Sequence, residues 1–208
     1  MKKYLSYTWI LVLLSLSCKT VDYDWEDFKY APTPKVNLNA AASALPTFSS
    51  AKVSFFNMAD PDFATSQKFE WELDFHDASG RAAVSEIEVY VSFNKRENNV
   101  PVYPVILSLA KVHPNERQFP LPSTIRATDK LFEKVNSFPK SYSFTPAELA
   151  SLTGTNLATI GVNDYFLFKF VVVMSDGTRI TQYNDNSCDE SRGELCDCRV
   201  GVRFKNLK

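Results

Sequence analysis

The feature that most restricts the fold of this chain is a strict alternation of apolar and charged residues between positions 68 and 76. Every second residue from Phe69 to Phe75 is apolar, and every residue between them is acidic. A period of two is the signature of an extended strand that has one face in a core and one face in water. This segment is therefore predicted to be a half-buried antiparallel strand.

Further segments carry strand patterns and turn signals. Residues 86–93 alternate in the same way, and residues 164–174 are almost continuously apolar, as expected of a central strand covered on both faces. Residues 175–178 follow with the Asp-Gly pair that is typical of a hairpin. Residues 199–204 are predicted to form the last strand, and residues 102–112 are also rich in β-forming residues.

One segment carries the signals of a short helix. Thr145 stands at the N-cap position, Pro146 at the first helical position and Glu148 two residues later, which together make a capping box. Gly154 is predicted to end this helix. Residues 127–135 are predicted to supply a second, shorter helical piece.

Strands dominate the pattern, so residues 46–208 are predicted to form one mostly β domain. We expect a single antiparallel immunoglobulin-like β-sandwich with one short helix. The composition agrees with a packed core, since 45% of the chain is apolar. Lys and Arg number 23 against 24 Asp and Glu, so there is no basic excess and no nucleic-acid partner is expected.

Residues 1–17 are typical of a secretory signal peptide that ends before Cys18. Lys2 and Lys3 precede a short apolar run, and small residues stand just before the cysteine. The run is too short to cross a bilayer as a helix, which takes about 20 apolar residues. Residues 18–45, which contain several acidic residues and two prolines at their centre, are predicted to be a flexible tether.

The end of this signal resembles the lipobox of bacterial lipoproteins. Residues 15–18 read Ser-Leu-Ser-Cys, with Ser15 where leucine is commonest, a looser form that is frequent in Bacteroidetes lipoproteins. In that family the cysteine is acylated, so the resemblance implies lipidation of Cys18 and a membrane partner reached through the lipid. Lys19 followed by acidic residues also resembles the signal that exports such lipoproteins to the cell surface. A solvated acidic spacer remains the alternative reading of those residues.

A second resemblance lies in the C-terminal half. Residues 142–150 (YSFTPAELA), 161–166 (GVNDYF) and 175–178 (SDGT) resemble a stretch of small Bacteroidetes outer-membrane lipoproteins associated with SusC/SusD-type, or RagA/RagB-type, uptake systems. In those systems a TonB-dependent barrel imports nutrients that surface lipoproteins capture. The resemblance implies a lipid-anchored protein of the outer membrane, exposed at the cell surface.

The same resemblance implies a non-catalytic role as an accessory or ligand-capturing subunit. Its partners would be a SusC-like barrel and a SusD-like lipoprotein, and its ligand would be a glycan or a peptide. A structural or adhesive surface lipoprotein outside any transporter is the alternative. No ligand-binding residue is singled out by the sequence.

Catalysis by carboxylates is the third reading. If the strands at 68–76 and 86–93 pair, the acidic residues of the first strand would approach Glu86 and Glu88 of the second. Opposed carboxylates are the groups used in glycoside hydrolysis. A solvent-facing polar face explains the same residues. The chain has no Gly-x-Ser-x-Gly motif, and His76 has no evident partner. We therefore expect no enzyme and assign no catalytic residue.

Three cysteines lie near the C-terminus, at Cys188, Cys196 and Cys198. The environment beyond the inner membrane is oxidising, which favours a local disulfide over a zinc thiolate site. Cys188 is a candidate partner for either of the other two, whereas Cys196 with Cys198 would close a strained small ring. One thiol is left over in every case.

The same segment contains oxygen ligands suited to calcium, among them Asp185, Asp189 and Glu190. Their spacing lacks the Asp-x-Asn-x-Asn-Gly pattern that makes a calcium loop specific. A solvated charged loop explains the same residues. Apart from this calcium candidate and the lipid, no cofactor is expected.

Overall fold

The computed structural model describes residues 31–39, 53–77, 80–95, 125–181 and 199–207. The strands are β1 (Thr33–Leu38), β2 (Val53–Asn57), β3 (Phe69–His76), β4 (Val84–Asn94), β5 (Lys130–Val135), β6 (Lys140–Phe144), β7 (Tyr165–Met174), β8 (Arg179–Ile180) and β9 (Arg199–Lys205). The helices are α1 (Phe63–Ser66), α2 (Pro146–Thr153) and a 3₁₀ turn (Leu157–Thr159). Strands make up 52% of the described residues, so the prediction of a mostly β fold is confirmed.

The strands form two sheets that enclose one core. The smaller sheet has the order β1-β3-β6 and the larger sheet the order β2-β9-β7-β4-β5, with β8 paired to the last part of β7. All described pairs are antiparallel except β2 with β9, which is parallel. The prediction of a wholly antiparallel sandwich is wrong at this pair, because β2, the first strand of the larger sheet along the chain, runs in the same direction as β9, the last strand.

The core consists of aromatic and branched side chains from both sheets. On β3 the alternation places Phe69, Trp71 and Leu73 inside, each at most 2% exposed, as predicted. β7 is central in the larger sheet and buried along most of its length, which confirms the prediction for residues 164–174. The ring of Phe168 on β7 lies 5.1 Å from that of Trp71, so the two sheets meet through these side chains.

The local turn and helix signals are confirmed. The Thr145 hydroxyl accepts a hydrogen bond from the backbone N–H of Glu148, and the Glu148 carboxylate accepts one from the N–H of Thr145 at 2.7 Å. Gly154 ends α2 in the left-handed conformation, with a φ of 73°. The Asp-Gly turn joins β7 to β8, and Gly177 there has a φ of 84°.

Residues 127–135 do not supply the helical piece predicted for them. Positions 130–135 form β5, which pairs with the edge of β4, and Phe132 packs against the core. Its ring lies 6.2 Å from that of Phe168. Pairing with a long neighbouring strand has overridden a weak local preference for helix.

The range predicted for the flexible tether, residues 18–45, is wrong in its C-terminal part. β1 lies within that range, pairs along its whole length with β3 and buries Val36 completely. Pro34 is tolerated because β1 is an edge strand of the smaller sheet. Residues 18–30 lie outside the described residues, as do the β-rich residues 102–112.

The two helices lie at one end of the sandwich, which we call the helical pole and define as α1, α2 and residues 154–164. β2 and β9 end towards this pole, and β3 and β7 begin there. β1 begins at the opposite end, because Thr33 pairs with His76 at the last position of β3. The first described residues and the helical pole are therefore at opposite ends of the strands.

Candidate functional site

The face of the larger sheet that points away from the core carries charged side chains in buried positions. Lys169 on β7 is 1% exposed, and Glu88 on β4 and Arg199 on β9 are similarly buried. Charges removed from water are costly unless they are paired and hydrogen-bonded. We use the name charged face for these residues together with the side chains that contact them or lie beside them on the same face: Glu86, Glu88, Tyr90, Asp129, Lys134, Lys169, Arg179, Arg199 and Arg203.

Glu88 is the centre of the densest network on the charged face. Arg179 reaches across β7 and donates from Nη1 to Oε1 and from Nη2 to Oε2, both at 2.6 Å. The Tyr90 hydroxyl donates to Oε2 at 2.8 Å, and Lys134 on β5 lies 3.2 Å from Oε1. Lys134 also binds Glu86 at 2.6 Å. A single carboxylate thus connects strands β4, β5 and β8.

The network has a clear electrostatic consequence. The two hydrogen bonds from Arg179, followed by those from Tyr90 and Lys134, hold the pKa of Glu88 at about 2, although burial alone would raise it. The hydrogen bonds of Arg179 with Glu88 and then with Tyr90 raise the pKa of Arg179. A carboxylate with so low a pKa is ionised at every physiological pH, so it is suited to holding strands together and not to donating a proton.

We predict that Glu88→Gln makes stability less dependent on pH. At pH 7 the substitution should lower the free energy of unfolding by about 1.5–3 kcal/mol, the contribution of hydrogen bonds to a charged group. Because the folded pKa is depressed, the contribution of Glu88 is present above its ordinary pKa of 4.5 and is lost as the pH falls towards 2. Urea unfolding at several pH values should show the gap between the two proteins narrowing over this range. An unchanged gap would exclude this role, since all other carboxylates titrate in both proteins.

A second ion pair lies beside this network. The Lys169 ammonium is 2.8 Å from Oδ2 of Asp129, and the two side chains are 1% and 2% exposed. Asp129 precedes β5, and its Oδ2 also accepts the backbone N–H of Arg126 at 2.6 Å. In the sheet, Lys169 stands between Tyr90 and Arg199. The pair ties the start of the edge strand to the centre of the larger sheet.

Towards the helical pole the same face combines cations with aromatic rings. The guanidinium of Arg203 lies 5.1 Å from the ring centre of Tyr165, and the ammonium of Lys205 lies 4.7 Å from that of Phe55. Burial, and then the nearby charge of Arg203, lower the pKa of Lys205. These contacts are cation–π interactions, which stabilise the sheet.

The structure does not bring together the carboxylates proposed for hydrolysis. β3 and β4 belong to different sheets, so the acidic face of β3 does not meet Glu86 and Glu88. On β3, Glu70 accepts hydrogen bonds from Asn39 at 3.0 Å and from Ser143 at 3.0 Å, as one rung of a polar ladder across the smaller sheet. The pairing on which that reading depends does not occur, because the connection after β3 crosses from one sheet to the other.

The motif at 161–166 forms the turn that starts β7. Asn163 adopts the left-handed conformation with a φ of 72°, and its N–H donates to the carbonyl of Phe204 at 2.8 Å. The carboxylate of Asp164 accepts the N–H of Gly161 at 2.8 Å and lies 3.3 Å from the ammonium of Lys95. These residues fix the start of the central strand, which is a structural role.

The other candidate sites lie outside the described residues. These are the lipidation site Cys18, the disulfide candidates Cys188, Cys196 and Cys198, and the calcium candidates Asp185, Asp189 and Glu190. Within the described ranges, no three His, Cys, Asp or Glu side chains are grouped so that they would hold a metal ion. The charged face itself was not predicted from the sequence, although the lone lysine in the apolar run of β7 was a signal for it.

No protein-family model matches this chain, and searches of curated proteins and of solved structures found no match either. In the part of the chain that the structure describes, no helix is both long and apolar enough to span a bilayer.

Proposed function

We propose that this protein is a lipid-anchored lipoprotein of the outer membrane, exposed at the cell surface. The observation that carries the proposal is the sequence of residues 1–18, in which two lysines, a short apolar run and small residues precede Cys18. In this proposal the cysteine is acylated, and two or more acyl chains give a stable anchor.

The fold supports this arrangement by setting the reach of the anchor. β1 begins at Thr33, so residues 19–32 connect the lipid to the domain. Fully extended, these residues span at most about 50 Å. The domain therefore stays within a short distance of the membrane, close enough to contact membrane-embedded partners.

We also propose that the sandwich is of the immunoglobulin-like type. The strand orders β1-β3-β6 and β2-β9-β7-β4-β5 support this. In immunoglobulin domains strands B and E lie in one sheet and strands C, F and G in the other, and here β3 and β6 take the first positions while β4, β7 and β9 take the second. The N-terminal strands are divided between the two sheets, and β2 runs parallel to the last strand. This is a scaffold for presenting loops and strand edges to other molecules.

Within this scaffold we propose a non-catalytic role, as an accessory or ligand-capturing subunit of a SusC/SusD-like TonB-dependent import complex. The engagement of the described carboxylates supports it. Glu70 binds Asn39 and Ser143, and Glu88 binds Arg179, so these acids are held in structural contacts. Contact with a glycan or peptide, or with the barrel, would then be made by loops and edges.

One experiment tests the anchor and the complex together. The tagged protein is purified from gently solubilised outer membranes, and co-purifying proteins are identified by mass spectrometry. We expect the wild type in the membrane fraction with near-stoichiometric amounts of a TonB-dependent barrel and a SusD-like lipoprotein. Cys18→Ala should appear in the soluble fraction without them, whereas the matched control Cys188→Ala should remain in the membrane.

Two outcomes would contradict the proposal at different points. Membrane fractionation of Cys18→Ala would exclude the lipid anchor. A wild-type protein that is lipidated and exposed at the surface, but recovered alone, would exclude the transport complex. That second result would favour the structural or adhesive alternative.

A further inference from the structure

The smaller sheet ends at β6 in an edge that carries no protection against further pairing. β6 has β3 as its neighbour on one side, and in the described part of the chain no strand pairs with its other side. After Lys140 at its first position, β6 reads Ser-Tyr-Ser-Phe, without a charge or a proline. We propose that this edge binds an extended peptide as an added strand, and that the peptide alternates apolar and basic residues.

Two other edge strands show how the same chain blocks such pairing elsewhere. β1 carries Pro34 and Lys35, and β5 carries Lys130, Glu133 and Lys134. Proline and charged side chains on an edge strand discourage the addition of another strand. β6 differs from both in its last four residues, so its edge is open to the mode of recognition in which a peptide extends a sheet.

The register shows which backbone groups of β6 face the open side. The N–H of Asn39 donates to the carbonyl of Glu70, so Glu70 and every second residue of β3 direct their backbone groups to β1. The residues between them bond with β6, at Tyr142 and its alternate neighbours. The backbone groups of Ser141 and Ser143 therefore point away from the sheet, and both residues are exposed. They offer two donors and two acceptors to an added strand.

The outer face of the smaller sheet determines the charge of the peptide. On β3 this face carries the carboxylates of Glu70, Glu72 and Asp74. Opposite them on β1 stands a single cation, Lys35. An added strand lies two interstrand spacings from β3, about 9–10 Å. Ser141 is paired with Glu72 and is short, so it leaves space for a lysine or arginine of the peptide to approach that carboxylate.

The apolar residues of the peptide face the flank between the two sheets. Phe144 on β6 and Phe132 on β5 are partly exposed, and their ring centres are 5.7 Å apart. Side chains alternate across a strand, so the peptide residues that flank the basic ones point towards these rings. Five residues in the order apolar, basic, apolar, basic, apolar satisfy both faces.

The peptide edge gives a ligand class and a binding position to the ligand-capturing role proposed above, and it rests on that role. It does not depend on the lipid anchor or on the transport complex. Peptide binding by the purified protein needs neither of them, so a failure here is distinguishable from a failure of the co-purification experiment.

Fluorescence anisotropy with labelled peptides and the purified full chain tests the proposal. The probe has the sequence Val-Lys-Val-Lys-Val between Gly-Ser flanks, and the matched control has Glu in place of both Lys. We expect the lysine peptide to bind at least tenfold more tightly. Methylation of both lysine backbone nitrogens keeps the charge, removes the donors for β6 and should abolish binding. Equal binding of the three peptides, or no binding of the lysine probe, would overturn the proposal.

Substitutions in the protein locate the peptide on β6. Ser141→Pro removes an N–H that faces the open side, where proline is tolerated, and should abolish binding. If that variant does not fold, Ser141→Lys places a cation beside Glu72 and should weaken binding at least tenfold. Glu72→Gln should weaken binding several-fold, whereas Glu86→Gln removes the same charge from the larger sheet and should leave the affinity unchanged. Equal losses in the two glutamine variants would mean that the attraction is non-specific and would exclude the site.

Other occupants of the edge give different results. A second copy of the chain would make the wild type a dimer in sedimentation and Ser141→Pro a monomer. An edge covered by the chain itself would leave the lysine peptide unbound. Either result would contradict a partner peptide, and a wild-type monomer that binds the lysine peptide supports it.

Discussion

Asp129→Ala is expected to lower the free energy of unfolding by about 3–5 kcal/mol, although the residue lies in a turn outside every strand. The substitution removes the carboxylate that binds the Lys169 ammonium at 2.8 Å, and both side chains are at most 2% exposed. Removing one partner of a buried ion pair leaves a charge in a poorly solvated position, and this accounts for most of the cost. Urea unfolding followed by tryptophan fluorescence measures the change.

A double substitution shows whether the cost comes from the charge of Lys169. Lys169→Met keeps the length of the side chain and removes its ammonium, so Asp129→Ala with Lys169→Met should be much more stable than the sum of the single variants predicts. Additive losses would mean that the two residues act independently and would contradict the pairing. An exposed pair is the control: Lys140→Ala breaks the contact of Lys140 with Glu133, where the side chains are 43% and 33% exposed, and should cost less than about 1 kcal/mol.

Elements whose signals are local were predictable from the sequence. The alternation of β3 places every second residue inside regardless of which strand lies beside it. The capping box of α2 needs only Thr145 and Glu148, and the turn between β7 and β8 needs only its Asp-Gly pair. In the helix and the turn the interacting groups lie within a few residues of one another, and in β3 the period of two is itself a local pattern.

Features that depend on distant partners were not predictable in the same way. Residues 130–135 become a strand because the edge of β4 is available, and Thr33–Leu38 become a strand because β3 is. Neither partner is visible in the local pattern. β3 and β4 follow each other along the chain, yet they belong to different sheets, and a short connection within one sheet or between two sheets has similar residues.

The charged face was missed for a related reason. Lys169 and Glu88 each stand in a strand among apolar neighbours, where a charge indicates a solvent-facing position. Their partners are Asp129, 40 positions away, and Arg179, 91 positions away. Only the fold shows that these charges are buried and paired. At these positions the outer face of the larger sheet is buried, as its core face is.

Phe168→Ala is expected to be among the most damaging substitutions in the core, with a loss of about 3–5 kcal/mol in the free energy of unfolding. Phe168 lies at the centre of β7, and its ring meets rings from the smaller sheet at 5.1 Å (Trp71), 5.3 Å (Phe144) and 6.4 Å (Phe69). Truncation removes the apolar contacts and leaves a cavity between two sheets that are each held by their own hydrogen bonds, so the space closes only in part.

Two further variants separate this position from the general cost of losing a phenylalanine. Phe75→Ala removes the same atoms from a partly buried ring at the far end of β3, which meets Phe138 at 5.2 Å, and should cost clearly less. Phe168→Leu refills part of the cavity and should fold with a smaller loss than Phe168→Ala, so the comparison remains measurable if the alanine variant does not fold. Equal losses for Phe168→Ala and Phe75→Ala would contradict a central role for Phe168, because the contact between the sheets would then be spread evenly along β3 and β7.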